Sequence, residues 1–150
     1  MFLAGCSSNK KDDATSRSAA NDLPTMTITK TDASVLNVKS VTGKTILILF
    51  QPDCDHCQRE AAQIKNHQES FKDYTLYFIS SDALDRIGSF AKQYELAGFD
   101  NIHFGRTETQ TILDNFGPID APSLYIYNED GQLVKKFNGE TEITLILNSL

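Results

Sequence analysis

The sequence predicts an α/β domain with a central mixed β-sheet flanked by helices. Three observations lead there. From Leu23 onward, apolar runs of strand length alternate with stretches of helical spacing across short connections. Residues 45–50, Thr-Ile-Leu-Ile-Leu-Phe, are continuously apolar, as a central strand covered on both faces must be. Near the end, two short runs flank Asn128-Glu-Asp-Gly131, a hairpin that adds antiparallel strands to an otherwise largely parallel sheet.

The remaining elements follow in order. Residues 74–80, Tyr-Thr-Leu-Tyr-Phe-Ile-Ser, read as the neighbouring strand. Between the two strands, Ala61, Ile64, Gln68 and Phe71 keep helical spacing after a Cys-x-x-Cys, which puts the cysteines at the opening turn of a helix packed on the sheet. A second helix is predicted over 83–96, with Leu84, Ile87, Ala91 and Tyr94 on one face and Ser81 or Asp82 as its cap. A short strand follows at 102–104. Thr107-Glu-Thr-Gln110 has the form of a capping box, opening a helix that Gly117-Pro118 ends. Strands at 123–127 and 133–137 make the hairpin, with Gly131 supplying a positive φ. A last helix over 140–150 would bury Ile143, Ile146 and Leu147.

A chain of 150 residues, 40% apolar and 23% charged, suits one domain with a core that needs no structural disulfide. With 14 Lys and Arg against 20 Asp and Glu, the net charge of −6 argues against nucleic acid as a partner. No run reaches the roughly 18 to 20 apolar residues of a spanning helix. The expected division is a tether over 1–22 and a folded domain over 23–150, because residues 7–22 carry no large apolar side chain. Leu3-Ala4-Gly5-Cys6 resembles a bacterial lipobox. That resemblance implies a lipid on Cys6, a membrane contact made only through that lipid, and a place in the cell envelope facing the periplasm.

Cys54 and Cys57 form the Cys-x-x-Cys pair, apart from the lone Cys6. Two such cysteines at a helix start can close a disulfide within one turn, the first sulfur exposed and the second shielded. The helix end favours an anion, and the thiolate is the species that attacks disulfides. His56 and Arg59 would favour a Cys54 thiolate, while Asp53 and Asp55 would oppose it.

The segment Phe50-Gln-Pro-Asp-Cys54-Asp-His-Cys57-Gln-Arg-Glu60 resembles the active-site segment of the thioredoxin superfamily, particularly its TlpA/ResA-like exported branch. The likeness runs over about residues 24–150 by order of elements. It implies a thioredoxin-like fold with an inserted strand and helix. It also implies that Pro122 of Ala121-Pro122-Ser123 is a cis-proline lying against the cysteines and docking a substrate backbone. Glu60 matches a glutamate used near the resolving cysteine, where a carboxylate could accept the Cys57 proton. The plain alternative is an acidic side chain favoured by the helix dipole in the first turn. The buried aspartate of cytoplasmic thioredoxins is absent, its place taken by Ile48.

Three other readings compete. Cys-x-x-Cys is half a zinc knuckle, with His56, His67 and His103 as further candidates, but no second half exists in the sequence. Peroxiredoxins share the fold, yet carry threonine where this chain has Gln51. A purely structural disulfide would gain little from so short a loop. The expectation is therefore a monomeric thiol:disulfide oxidoreductase with no cofactor or metal. It would act on protein thiols and disulfides outside the cytoplasm, with a membrane or exported redox partner recharging it. The branch resemblance, with Asp55 and Glu60, implies reduction as its direction, while His56 and an oxidising compartment argue for oxidation.

Overall fold

A computed structural model describes residues 21–150; Cys6 and nearly all of the expected tether lie outside them. Seven strands form one sheet in the order β2-β1-β5-β4-β3-β6-β7: β1 (Thr27–Lys30), β2 (Val35–Asn37), β3 (Thr45–Leu49), β4 (Thr75–Ser80), β5 (Ile102–Arg106), β6 (Ser123–Tyr127) and β7 (Leu133–Asn138). Only β3, β4 and β5 run parallel to one another, and every other pairing is antiparallel. The expected sheet is mixed as predicted but less parallel, because an unforeseen hairpin of β1 and β2 adds to the β5 edge. Its strands are four and three residues long, too short to show an alternation in sequence.

Four α-helices cover the sheet: α1 (Asp55–Asn66), α2 (Leu84–Gln93), α3 (Thr109–Phe116) and α4 (Ile143–Leu147). Side chains of β3 and β4 alternate between two cores, which is why both strands read as unbroken apolar runs. Ile46, Ile48, Leu76 and Phe78 face a core with Ala61 and Ile64 of α1, Ile87 and Phe90 of α2, and Ile146 of α4. Leu47, Leu49, Tyr77 and Ile79 face the other, with Leu23, Met26 and Ile28 and with Ile112 of α3.

Several local expectations are corrected by where side chains are spent. Thr107 does not cap α3: its hydroxyl donates to the Thr27 carbonyl at 3.1 Å, tying the N-terminal hairpin down, and the N-cap is Glu108, whose side chain goes to Arg106 and makes no capping bond. The cap of α2 is Ala83, also without a side-chain bond. Asp82 instead accepts from the Ala83 amide at 2.7 Å and from Arg86 at 2.7 Å. Helix α2 stops at Gln93, short of 96, because Glu95 turns to φ 56° and sends Leu96 into the core. The final helix covers five residues rather than eleven, since Gly139 at φ 91° and the two residues after it belong to the active-site face. Gly117 ends α3 and Gly131, at φ 74°, turns the β6–β7 hairpin as predicted, beside a register shift at Ile126/Tyr127.

Phe50 roots the segment that leads from β3 into the cysteines. Its ring meets Phe78 and Phe104 edge-on at 5.7 and 5.9 Å and Phe90 at 4.7 Å. Replacing Phe50 with Ala should cost about 3 to 5 kcal/mol in urea unfolding, the range for a buried phenylalanine. A loss under about 1 kcal/mol would mean that the ring cluster does not anchor this end of β3.

Candidate active site

The pair sits where β3 hands the chain to α1, just beyond the carboxyl end of the parallel strands, the usual ligand end of such a sheet. Cys54 is the N-cap of α1, with extended backbone at φ −93° and ψ 118°. Its sulfur takes the part that a serine or aspartate oxygen usually plays, accepting the Cys57 amide at 3.3 Å. The Cys54 amide donates to the Gln51 carbonyl at 3.2 Å, and Gln58 Nε2 donates to the Pro52 carbonyl at 3.0 Å, which fixes the approach to the helix. Both cysteines are free thiols. Cys54 is half-buried, whereas Cys57, one turn on, points into the core with 2% exposure. Burial pushes the Cys57 thiol well above its usual value, and hydrogen bonding with Cys54 adds to the rise.

The cis-proline loop reaches this point through strand register. Leu49 pairs with Ser123, so Pro122, the next residue back, lies level with the start of the active-site loop. The Ala121–Pro122 bond is cis, and the Cys54 thiol donates to the Ala121 carbonyl at 3.7 Å. Asn138 latches the loop from β7: its Oδ1 accepts from the Asp120 amide at 3.1 Å and from the Ser123 hydroxyl at 2.9 Å.

Glu60 lies on the inner face of α1, one turn past Cys57, with 3% exposure. One oxygen accepts the Thr141 amide at 3.2 Å. Burial raises its carboxyl from 4.5 to about 7, with the Thr141 bond pulling against the rise and the charge of Glu140 adding to it. Glu60 is near enough to Cys57 for its charge to raise that thiol further. A cleft of about 480 Å³ between α1 and the turn at 140–143 opens over it.

Asp55 and His56, placed between the cysteines in sequence, both project outward. His56 Nδ1 lies 2.7 Å from Glu140 Oε1 and 2.8 Å from Arg59 Nη2. Arg59 clamps the same carboxylate with Nε to Oε2 at 2.9 Å and Nη2 to Oε1 at 2.8 Å. These bonds, first from Arg59 and then from His56, hold the Glu140 carboxyl down at about 2. Glu140 carries no local signal, standing 84 residues from His56. Only the glycine before it hints that the chain there is not helical.

The structure thus gathers Cys54, Cys57, Glu60 and Pro122 around one point and leaves Asp55 and His56 on its rim, while Cys6 falls outside the described residues. Among the described residues no three His, Cys, Asp or Glu side chains come together as a metal cluster. His67 sits on the Gln63 carbonyl at 2.9 Å and His103 stacks on Tyr77 at 5.3 Å. Gln51, in the place of the peroxidatic threonine, accepts the Ser80 hydroxyl at 3.1 Å.

Residues 19–136 match the AhpC/TSA family model. The chain belongs to the AhpC/TSA family. It is 23% identical over 123 residues to the thiol-disulfide oxidoreductase ResA of Bacillus thuringiensis subsp. konkukian, covering 79% of this chain and 69% of ResA. Its fold is similar to that of a secreted Mycobacterium tuberculosis disulfide oxidoreductase homologous to E. coli DsbE, at a TM-score of 0.71 and 18% identity over 83% of this chain and 93% of that one. The MTB protein DsbF, seen in mixed oxidized and reduced forms, superposes at a TM-score of 0.72 with 16% identity, over 85% of this chain and 93% of its own. With its family and the activity its relatives are named for, the chain is a thioredoxin-like thiol-disulfide oxidoreductase.

The Glu60 carboxyl makes stability depend on pH. Its folded value lies above the unfolded one, so the native state holds the proton more tightly and the stability that this group contributes is fully present below pH 4.5. Stability then declines as pH rises to about 7 and levels off above it. The total is on the order of 3 kcal/mol. Glu60→Gln should therefore gain about that much over the wild type between pH 4.5 and pH 8 in urea titrations. An unchanged difference between the two proteins at those pH values would mean that Glu60 ionises as freely when folded as when unfolded.

Proposed function

We propose that this protein reduces disulfide bonds in protein substrates outside the cytoplasm, with Cys54 as the attacking sulfur, Cys57 as the resolving sulfur and Glu60 as the proton acceptor for Cys57. The observation that carries the reading is the asymmetry of the pair: one sulfur caps a helix at the surface while the other is sealed behind it beside a buried carboxylate.

The chemistry then runs in two displacements. Cys54, having lost its proton to solvent, attacks one sulfur of a substrate disulfide. A Cys54–substrate disulfide forms, the substrate S–S bond breaks, and the leaving thiolate takes a proton. Cys57 next gives its proton to Glu60 and attacks the Cys54 sulfur, releasing the second substrate thiolate, which takes up a proton as Glu60 gives up its own. The sum is protein dithiol plus substrate disulfide going to protein disulfide plus substrate dithiol, a transfer of two electrons and two protons. An exported or membrane redox partner returns the electrons.

Each further residue has a part in this scheme. Pro122 holds the loop beside Cys54, where a substrate backbone can lie along it. Loss of the Cys54 proton removes the donor of the Ala121 contact and keeps the Cys57 amide on the sulfur, so ionisation opens the side that a substrate must approach. Asp55, exposed on the first turn, works against the thiolate and so favours the reducing direction. His56 is the second residue that tunes it. A lipid on Cys6 would tether a single copy to the envelope, in keeping with the lipobox-like start and with the secreted M. tuberculosis relative. Among the described residues no helix is long and apolar enough to cross a membrane.

Cys57→Ser should leave Cys54 able to attack and unable to be released, so disulfide-linked adducts with exported proteins accumulate on non-reducing gels. Finding no adduct in Cys57→Ser, with Cys54 still reactive, would sink the two-step cycle. Glu60→Gln should slow resolution of a preformed mixed disulfide by about a hundredfold at pH 7, the lower range for general base catalysis. Stopped-flow release of a labelled thiol reads it, and an unchanged rate would remove Glu60 from the reaction.

A further inference from the structure

Glu140 is remote from the active-site helix in sequence, yet it receives both Arg59 and His56 from that helix's outer face. Its two oxygens accept Arg59 Nε at 2.9 Å and Arg59 Nη2 at 2.8 Å, and His56 Nδ1 lies 2.7 Å from Oε1. His56 Nδ1 also lies 2.8 Å from Arg59 Nη2, so the three side chains form one cluster. The site itself fixes where Glu140 stands. Before it, the Gly139 amide donates to the Pro122 carbonyl at 2.9 Å; after it, the Thr141 amide donates to Glu60 at 3.2 Å. One three-residue turn is thereby bonded to the cis-proline loop, to the buried carboxylate and to the residues flanking the cysteines.

The charges around Cys54 give this turn a consequence. Asp53 and Asp55 are exposed on the approach and the first turn, and Arg86 of α2 leans towards Asp53 at 3.8 Å. Glu60 stands behind the pair, and Glu142 lies with Glu140 along the cleft over it. The nearest cation on α1 is Arg59, whose charge interacts with Cys54. An uncompensated cation there would stabilise a Cys54 thiolate, and whatever stabilises the dithiol state makes the couple more oxidising.

We propose that Glu140 is a positioning residue that sets the redox poise of the pair: by pairing with Arg59 and holding the His56 ring beside it, Glu140 withholds the positive charge of Arg59 from Cys54 and keeps the couple reducing. The inference rests on the reading of Cys54 as the exchanging sulfur. It also accounts for the coexistence of two opposed signals in one motif, since His56 sits between the cysteines but is held by a carboxylate from another element.

The test is equilibration with glutathione, in which protein dithiol plus oxidised glutathione goes to protein disulfide plus two reduced glutathiones. The ratio is measured for the wild type, for Glu140→Gln and Glu140→Lys, and for Arg59→Gln/His56→Gln with and without Glu140→Gln. Glu140→Gln should shift the equilibrium about three- to tenfold towards the dithiol. A tenfold change corresponds to about 30 mV. Glu140→Lys should shift it further in the same direction. In the background lacking Arg59 and His56, Glu140→Gln should change it less than about twofold, because no cation remains to be released. No shift in the wild-type background would overturn the proposal. Equal shifts in both backgrounds would also overturn it, showing that Glu140 acts on Cys54 by its own charge or through the packing of its turn, and not through Arg59 and His56. A wild-type protein that does not exchange with glutathione at all would instead bring down the functional reading beneath it.

Discussion

A sulfur atom closes the active-site helix. Because the Cys57 amide donates to Cys54 Sγ, the first cysteine is held by the helix it begins, and the second is turned inward by the same helical step. A two-residue spacing at a helix mouth therefore produces two unlike thiols from one residue type. One is half-exposed with the Cys57 amide aimed at it, and the other is buried in the same core as Ile48, Phe50 and Ala61. An exchange reaction needs this inequality, since the outer thiol must meet a substrate and the inner one must wait for it.

The fold supplies what the helix cannot. Strand register brings Pro122 level with the end of β3, and the Asn138 latch keeps its loop there. The turn at Gly139 links that loop to α1 through two backbone amides and one carboxylate, although these parts lie far apart in the chain. Cost and use coincide at Glu60. A carboxyl raised to about 7 by burial destabilises the folded state at neutral pH, and the same burial makes it able to hold or release a proton there.

Much of this was legible in the sequence where a single element carries the signal. The apolar runs of β3 and β4 announced strands covered on both faces, and the helical spacing behind the cysteines put them at a helix start. Gly117 and Gly131 marked turns because a positive φ has few other tenants. What failed depended on partners distant in sequence. Thr107 looked like a cap but is used by the Thr27 carbonyl, and Glu140 looked like a helical residue but is used by Arg59. The β1–β2 hairpin leaves no trace in the sequence because its strands are too short to display a period. By sequence alone His56 and Arg59 are charges acting on Cys54, and no rule of local spacing foresees a carboxylate from 84 residues away receiving His56.

The account stands on the unlikeness of the two thiols in the folded dithiol protein. Timed alkylation with iodoacetamide, followed by peptide mass spectrometry, measures it directly. Cys54 should be modified while the protein remains native, and Cys57 should stay unmodified until denaturant opens the core. Equal rates for the two, or Cys57 reacting first, would contradict the arrangement from which the mechanism is built.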